Sequence, residues 1–152
     1  MNHKVTRIIE QEICDRYAKK LRQPMFLAVG YFKDYDAISY SRNLNIEIKF
    51  EAKARQTHNF AFEVSYRGKP SGLASTRAKK WVHVVPLDER RMNCYEFDVE
   101  TLRKRLRDVP SLWAGDRKAS EIKLLPFLEA TRMRTDQFEI NIDWTLYQPY
   151  WK

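Results

Sequence analysis

The sequence has few of the residue types that mark specialised classes of protein. Its 152 residues include only 4 glycines and 6 prolines, which argues against a flexible linker or a low-complexity tract. Cys14 and Cys94 are too few for a disulfide framework and lack metal-ligand spacing. No apolar run approaches the length of a membrane span, and the N-terminal segment has no apolar signal region. We therefore expect a cytoplasmic protein with reduced thiols and no membrane insertion.

The residues that are abundant indicate one basic globular domain spanning 1–152. Apolar content of 43% and aromatic content of 13% are typical of a chain that buries a core. The net charge is +8, and its distribution along the chain is uneven. The segment 52–80 has seven basic residues and one acid, Glu63, and so contributes +6. This excess favours a polyanionic partner such as DNA.

Hydrophobic periodicity predicts a mixed α/β or α+β domain with one sheet. The apolar spacing predicts helices at 3–22 and 98–109, the second capped by Asp98. Weaker patterns indicate a short helix at about 72–80, capped by Ser71, and a helical turn at 126–133. Alternating or apolar runs predict the strands 25–32, 35–41, 45–51, 60–67, 81–85, 94–98 and 121–125. Irregular aromatic-rich sequence then extends to Trp151.

The stretch NIEIKFE (45–51) alternates without interruption, so Glu47, Lys49 and Glu51 share one strand face. Asp36 lies on the preceding strand of a predicted hairpin. Two carboxylates on neighbouring strands can hold a hard divalent cation such as Mg²⁺. A lysine beside them could position or help deprotonate an attacking water, or offset charge on a phosphate. This arrangement suits hydrolysis of a phosphodiester.

Over roughly residues 5–86 the chain resembles the PD-(D/E)xK, or restriction-endonuclease-like, nuclease superfamily. Small phage and bacterial members of the Holliday-junction-resolvase-like or homing-endonuclease-like type are most similar. The resemblance is carried by Asp36, Glu47-Ile48-Lys49, Glu51, THNFAFE (57–63), GKPSG (68–72) and TRAKKW (76–81). It implies an α/β core with a central mixed sheet flanked by helices, a C-terminal elaboration over about 87–152, and DNA cleavage with Mg²⁺ or Mn²⁺.

The resemblance also assigns roles to individual residues. Asp36 and Glu47 would hold the metal, with the Ile48 carbonyl as an additional ligand. Lys49 would act on the attacking water. Glu10, on the first helix, would reach the metal site directly or through water; the alternative is a solvated carboxylate. Glu51 lies one step beyond the motif, so its replacement should have a smaller effect.

Three positions depart from the family pattern or leave a choice open. Tyr35 stands where the family often has proline, and His58 stands where it usually has glycine, which could alter a turn. Asp34 competes with Asp36 for the ligand role, because the two share a strand face. We prefer Asp36, since Ala37 and Ile38 continue the strand behind it.

The basic segment that follows is the predicted DNA contact surface. Ser71 and Gly72 would present backbone N–H groups to a phosphate at a helix N-terminus. The remaining predicted contacts are Arg55, Lys69, Thr76, Arg77, Lys79 and Lys80. Because both strands of a duplex need a cut, we expect a homodimer or a higher symmetric assembly.

Two rival interpretations remain open at this point. One is a nucleic-acid-binding protein of the same fold that has lost turnover. The other is a structural or assembly protein of a phage. The sequence also leaves open whether Glu63 joins the acidic cluster or pairs with a base. Late aromatic residues could pack a core or an interface, or stack on splayed bases; they are Trp144, Tyr147, Tyr150 and Trp151.

Overall fold

The computed structural model describes residues 3–29 and 34–143 of the chain. Four α-helices occur in these ranges: α1 (His3–Leu21), α2 (Ala54–Thr57), α3 (Val99–Leu106) and α4 (Phe127–Met133). No described helix combines the length and apolar character that crossing a membrane would require. The predicted strand at 25–32 falls partly outside these ranges, and the four late aromatic residues lie wholly outside the described residues.

A six-stranded mixed sheet forms the centre of the fold, in the order β1-β2-β3-β6-β7-β10. Among the strands within the described residues, β3 and β6 are its only parallel neighbours, and every other pair is antiparallel. This central mixed sheet flanked by helices confirms the predicted fold class. Its strands are β1 (Phe26–Leu27), β2 (Ala37–Ser39), β3 (Leu44–Phe50), β6 (Lys80–Pro86), β7 (Arg91–Asp98) and β10 (Asp136–Asn141).

One face of this central sheet packs against α1. The alternation of β3 turns Ile46, Ile48 and Phe50 toward the helix, where all three are buried. Helix α1 contributes buried residues at helical spacing, as its apolar periodicity predicts. They are Val5, Ile9, Ile13, Cys14 and Tyr17. The opposite face of β3, which carries Glu47 and Lys49, is thereby turned away from the aliphatic core.

A second sheet covers part of the other face, so the prediction of a single sheet is wrong. It has the order β5-β4-β9-β8, and all its neighbours are antiparallel. Because β3 and β6 are parallel, the chain between them must cross over, and β4 forms on that crossover. Phe60 and Phe62 of β4 pack against Trp81 and Phe97 of the central sheet. The strands are β4 (Asn59–Tyr66), β5 (Lys69–Pro70), β8 (Ser111–Ala114) and β9 (Ser120–Pro126).

The predicted helix at about 72–80 is also wrong. Only a single 3₁₀ turn forms, over Gly72–Ala74, and the chain then runs extended into β6. Gly72 has φ +51, and a Cβ there would lie 2.4 Å from the Glu63 carbonyl oxygen. This close approach to β4 fixes the path of the chain and requires glycine.

The C-terminal third contains more strand than its pattern indicates. Strand β8 was not predicted, and β10 occupies sequence interpreted as irregular. Strands β7 and β10 extend the central sheet well past residue 86. Helix α3 forms within the predicted range, and Asp98 accepts a hydrogen bond from the Thr101 N–H at its start. His58, which follows α2, adopts φ +57, a left-handed conformation.

Candidate active site

The hairpin of β2 and β3 places Asp36 at the edge of strand pairing. The last paired residues are Ala37 and Ile46, and the Asp36 N–H donates to the Ile46 carbonyl oxygen at 2.8 Å. One step further, the Ile48 N–H donates to Asp36 Oδ2 at 2.6 Å. A side chain therefore accepts the Ile48 N–H at the point where the β2–β3 pairing stops. This contact holds the Asp36 carboxylate against β3.

Glu47 projects from β3 on the face away from α1. Its Oε2 accepts a hydrogen bond from the Thr76 hydroxyl at 3.2 Å. Burial raises the pKa of Glu47 to about 8, with further increases from the Asp36 and Glu10 charges. The Thr76 hydrogen bond and Lys49 oppose that rise without cancelling it. Burial therefore disfavours the charged form of Glu47, and a nearby positive charge would stabilise that form.

The pKa values of Asp36 and Glu10 are raised as well. Burial raises the pKa of Asp36, although the Ile48 N–H and the charges of Arg7 and Lys49 act against the increase. Burial, followed by repulsion from Asp36, raises the pKa of Glu10 to about 6. Three carboxyl groups from α1, the β2 edge and β3 therefore influence one another electrostatically.

Arg7 was not predicted as part of this site. It lies one helical turn before Glu10 and lowers the pKa of both Glu10 and Asp36. Its Nη1 also donates to the Ala28 carbonyl oxygen at 3.5 Å. The signal in the sequence was the i, i+3 spacing of Arg7 and Glu10, which places both on one helix face.

The structure distinguishes Asp36 from its competitor Asp34. The Asp34 side chain is 41% exposed and forms an ion pair with Arg77 at 3.8 Å. Its carbonyl oxygen accepts from the Arg77 N–H at 2.9 Å. Asp36, by contrast, is held against β3 and raises the pKa of Glu47. The geometry therefore favours Asp36 as the partner of Glu47.

Lys49 is exposed and shares its strand face with Glu47. Its charge lowers the pKa of both Asp36 and Glu47, so its ammonium group lies within electrostatic range of the two carboxyls. The peptide between them, at Ile48, is held by its N–H bond to Asp36. The expected contribution of the Ile48 carbonyl to a metal remains a prediction.

The donor set suits a hard divalent cation. The two central side chains offer carboxylate oxygens, and burial is the main cause of their raised pKa values. Within 3–29 and 34–143, no three His, Cys, Asp or Glu side chains are grouped closely enough to form a complete ligand set. Two carboxylates with waters or substrate oxygens completing the shell is the pattern typical of Mg²⁺.

Several predicted DNA contacts are engaged inside the protein instead. Thr76 is only 3% exposed, and its hydroxyl lies between Glu47 and the Asp34 carbonyl oxygen. Lys80 lies 4.0 Å from Glu96 and 3.9 Å from Asp98. It follows that Thr76 supports the candidate site from within, and that the Lys80 charge is largely offset by its neighbours.

The other predicted basic contacts remain at the surface. Arg55 donates to the Leu87 carbonyl oxygen, and Lys79 Nζ donates to the Asn43 carbonyl oxygen at 2.9 Å. Arg77 is 78% exposed despite its ion pair with Asp34. Lys69 is exposed on β5. Of these residues, Arg77 and Lys79 lie closest in sequence to Thr76.

Ser71 and Gly72 do not lie at the N-terminus of the predicted helix, because only a single 3₁₀ turn follows Ser71. The Ser71 hydroxyl donates to Glu63 Oε2 at 2.9 Å, and the Ser71 N–H donates to the Val64 carbonyl oxygen. The Ser71 side chain therefore makes no capping hydrogen bond to the 3₁₀ turn. These contacts connect the crossover segment to β4 and also show that Glu63 hydrogen-bonds Ser71.

A buried polar network next to the site was not predicted. His83 is fully buried on β6, and its Nδ1 accepts the Trp81 indole N–H at 3.1 Å. Because an indole N–H can only donate, Nδ1 carries no proton. The proton is then on His83 Nε2, 2.5 Å from Glu51 Oε2. The parallel register β3–β6 creates this network by bringing β3 beside His83.

Comparison with known proteins gives one informative likeness. No protein-family model matches the chain, and no curated protein matches it. Among solved structures, the bacterial homing endonuclease I-Ssp6803I is similar, with a TM-score of 0.51 and 17% sequence identity. The match covers 99% of this chain and 95% of that one. At this identity the likeness shows a shared fold over nearly the whole length.

Proposed function

We propose that this protein is a metal-dependent endodeoxyribonuclease that hydrolyses DNA phosphodiester bonds. The observation that carries the proposal is the pair Asp36 and Glu47, two half-buried carboxyl groups of the β2–β3 hairpin with raised pKa values, beside the exposed Lys49. The fold shared with a bacterial homing endonuclease supports the same class of reaction. The basic surface supports DNA as the substrate.

Asp36 and Glu47 would hold Mg²⁺ or Mn²⁺, with the Ile48 carbonyl as a further candidate ligand. The cation would supply a Lewis acid that offsets charge on the scissile phosphate. Thr76 and the Ile48 N–H orient the two carboxylates through the hydrogen bonds described above. Glu10 and Arg7 lie around this centre and set its local charge.

In the proposed reaction, water adds to phosphorus and one P–O ester bond breaks, which leaves a phosphate monoester and an alcohol. Lys49 positions the attacking water and offsets the negative charge that grows on the phosphate. Its exposure leaves room for the DNA backbone to approach from that side. Arg77 and Lys79 are proposed to contact phosphates beside the scissile bond.

We further propose that the protein acts as a symmetric oligomer, because one small domain with one centre cuts one strand at a time. Light scattering with and without DNA tests this independently of cleavage. A monomer both with and without DNA would contradict the oligomer and would favour an enzyme that cuts only one strand.

The deciding experiment is a nuclease assay with Mg²⁺, Mn²⁺ or no divalent cation. The substrates are DNA junctions, duplexes, flaps and single strands. We expect cleavage of at least one substrate that requires the cation and is lost in Asp36→Asn. DNA binding without cleavage under every condition would favour an inactive binding protein of this fold. Absence of both DNA binding and DNA cleavage would favour a structural or assembly protein.

A further inference from the structure

Two turns meet at one end of the second sheet. Arg67 and Gly68 connect β4 to β5, and residues 115–119 connect β8 to β9. The Arg67 N–H donates to the Ala119 carbonyl oxygen at 2.9 Å, which joins the two turns. A hollow of about 560 Å³ lies between them. Its lining consists of Tyr66, Arg67, Asp116, Arg117 and Ala119.

These turns carry an excess of positive charge. Arg67, Lys69, Arg117 and Lys118 are all exposed, and Asp116 is the one acid among them. In the part of the chain that the structure describes, no salt bridge joins any of these four basic residues to an acid. We call these four residues the turn surface. In this respect its residues differ from Lys80, which forms ion pairs with Glu96 and Asp98.

The backbone of the turn surface is unfavourable for the residues that occupy it. Arg67, Arg117 and Lys118 have φ values of +50, +55 and +52. Glycine, asparagine and aspartate adopt this left-handed conformation most readily, and a two-residue hairpin such as Arg67-Gly68 favours Asn-Gly. Long basic side chains at three such positions work against folding. Strained residues of this kind cluster at functional surfaces.

Exposed aromatic rings border the same charges. Tyr66 is 45% exposed and Trp113 is 54% exposed. The Arg67 guanidinium lies 5.2 Å from the centre of the Tyr66 ring, which orients it at the surface. Positive groups beside exposed aromatic rings are typical of surfaces that contact nucleic acid.

We propose that the turn surface binds the phosphate backbone of duplex DNA beyond the scissile bond, an inference that rests on the proposed function. Thr76, which contacts Glu47, follows Arg67 by nine residues. Nine residues span at most about 30 Å. One turn of B-form DNA is about 34 Å long. One bound duplex is therefore long enough to contact both the candidate site and the turn surface.

The test compares two triple variants of equal charge. The turn variant is Arg67→Asn, Arg117→Asn and Lys118→Asn, since asparagine accepts the left-handed backbone. The control is Lys19→Gln, Arg22→Asn and Arg90→Gln, which changes three exposed residues elsewhere, one of them also at positive φ. The measurement is affinity for a random-sequence DNA duplex in Ca²⁺ over a series of salt concentrations, with thermal melting of each protein.

Each phosphate contact contributes a slope of about −0.9 to log K against log salt, so the turn variant should flatten the slope by about 2.7. Its melting temperature should stay the same or rise, while the control keeps the wild-type slope. An unchanged slope in the turn variant would overturn the proposal that the turn surface binds DNA, but it would not contradict the proposed nuclease function. Equal flattening in both variants, or loss of binding that parallels loss of stability, would also overturn the proposal for the turn surface. A wild type without salt-dependent DNA binding overturns both proposals.

Discussion

Glu47 lies on β3 and Glu51 directly follows the strand, four residues later, yet the surroundings of the two carboxyl groups differ. Glu51 Oε2 accepts the Ala61 N–H at 3.0 Å and lies 2.5 Å from His83 Nε2. Glu47 has one hydroxyl donor at 3.2 Å, and burial, together with the Asp36 and Glu10 charges, raises its pKa. Since buried carboxylates need compensation, Glu51 is satisfied by groups of the fold itself, whereas Glu47 is an acid for which we propose a cation.

The comparison also separates two kinds of polar group in the interior. The Glu51 network is satisfied by its neighbours, and the Phe60 ring stacks on His83 with centroids 4.6 Å apart. Such a network stabilises one arrangement of β3, β4 and β6. The Glu47 cluster is tolerated at a cost in stability, which is common where a protein binds a charged ligand. The predictions below test this contrast.

The largest effects on cleavage are expected at Glu47 and Lys49. Lys49→Ala should slow single-turnover cleavage in Mg²⁺ by about 100- to 1,000-fold, since it removes a charge placed for the transition state. DNA binding in Ca²⁺ should stay near wild type. Glu47→Ala should lose cation binding and cleavage together. Cleavage by Lys49→Ala at the wild-type rate would falsify the proposed function of this face.

Glu51→Ala should lower the stability of the fold more than the rate of cleavage. It leaves the His83 Nε2–H and the Ala61 N–H without their acceptor, at a cost of about 2–4 kcal/mol in the free energy of unfolding. Urea denaturation measures this cost. Glu51→Gln is the matched control, because it keeps an oxygen in place and should lose less. Equal stability of Glu51→Ala and wild type would mean that the network contributes nothing to folding.

Cation binding should strengthen as the pH rises toward the raised pKa of Glu47, about 8. Below this value the folded protein keeps the proton, and the cation must displace it. The apparent affinity for Ca²⁺ should therefore increase by up to about tenfold per pH unit, or about 1.4 kcal/mol. Calorimetry in buffers of different ionisation enthalpy should detect released protons. Affinity that does not change with pH would contradict this linkage.

Glu47→Gln should stabilise the cation-free protein. The pKa of Glu47 is raised from 4.5 to about 8, so wild-type stability falls as the pH rises through this interval. Below about 4.5 the carboxyl is protonated in both folded and unfolded chains, and glutamine should bring no gain. Near pH 8 we expect a gain on the order of 1 kcal/mol. Thermal melting at the two extremes of pH checks the sign; destabilisation at both would reject the interpretation.

The smallest effect is expected at Asp34. Asp34→Asn weakens only an exposed ion pair with Arg77, so stability should change by less than about 0.5 kcal/mol. Cleavage should remain near wild type. Asp36→Asn serves as the counterpart and should abolish it. The reverse ranking of the two variants would assign the ligand role to Asp34.

Much of the architecture could be predicted because it depends on short-range periodicity. Helix α1 and strand β3 form as their patterns indicate, and the predicted mixed sheet is present. The second sheet could not be predicted, because β8 is only four residues long and pairs only through β9. The helix predicted near 72–80 fails because the contact of Gly72 with Glu63, on another strand, outweighs local propensity.

Local sequence periodicity is enough to predict that Glu47 and Lys49 share a strand face and that Ile46, Ile48 and Phe50 share the other. A period of two residues follows from backbone geometry alone, whatever the rest of the chain does. The same holds for the apolar stripe of α1 at a period of 3.6. These features depend only on residues close to one another in the chain.

Contacts between distant parts of the chain bring the acids together and compensate some of them. The preference for Asp36 over Asp34 rests on its contact with the Ile48 N–H, and the hydrogen bond from Thr76 to Glu47 joins positions 29 residues apart. Glu51 is compensated because β4 and β6 bring Ala61 and His83 to it. Each of these contacts needs strands from distant parts of the chain in register, and pairing over such distances leaves no local pattern in the sequence.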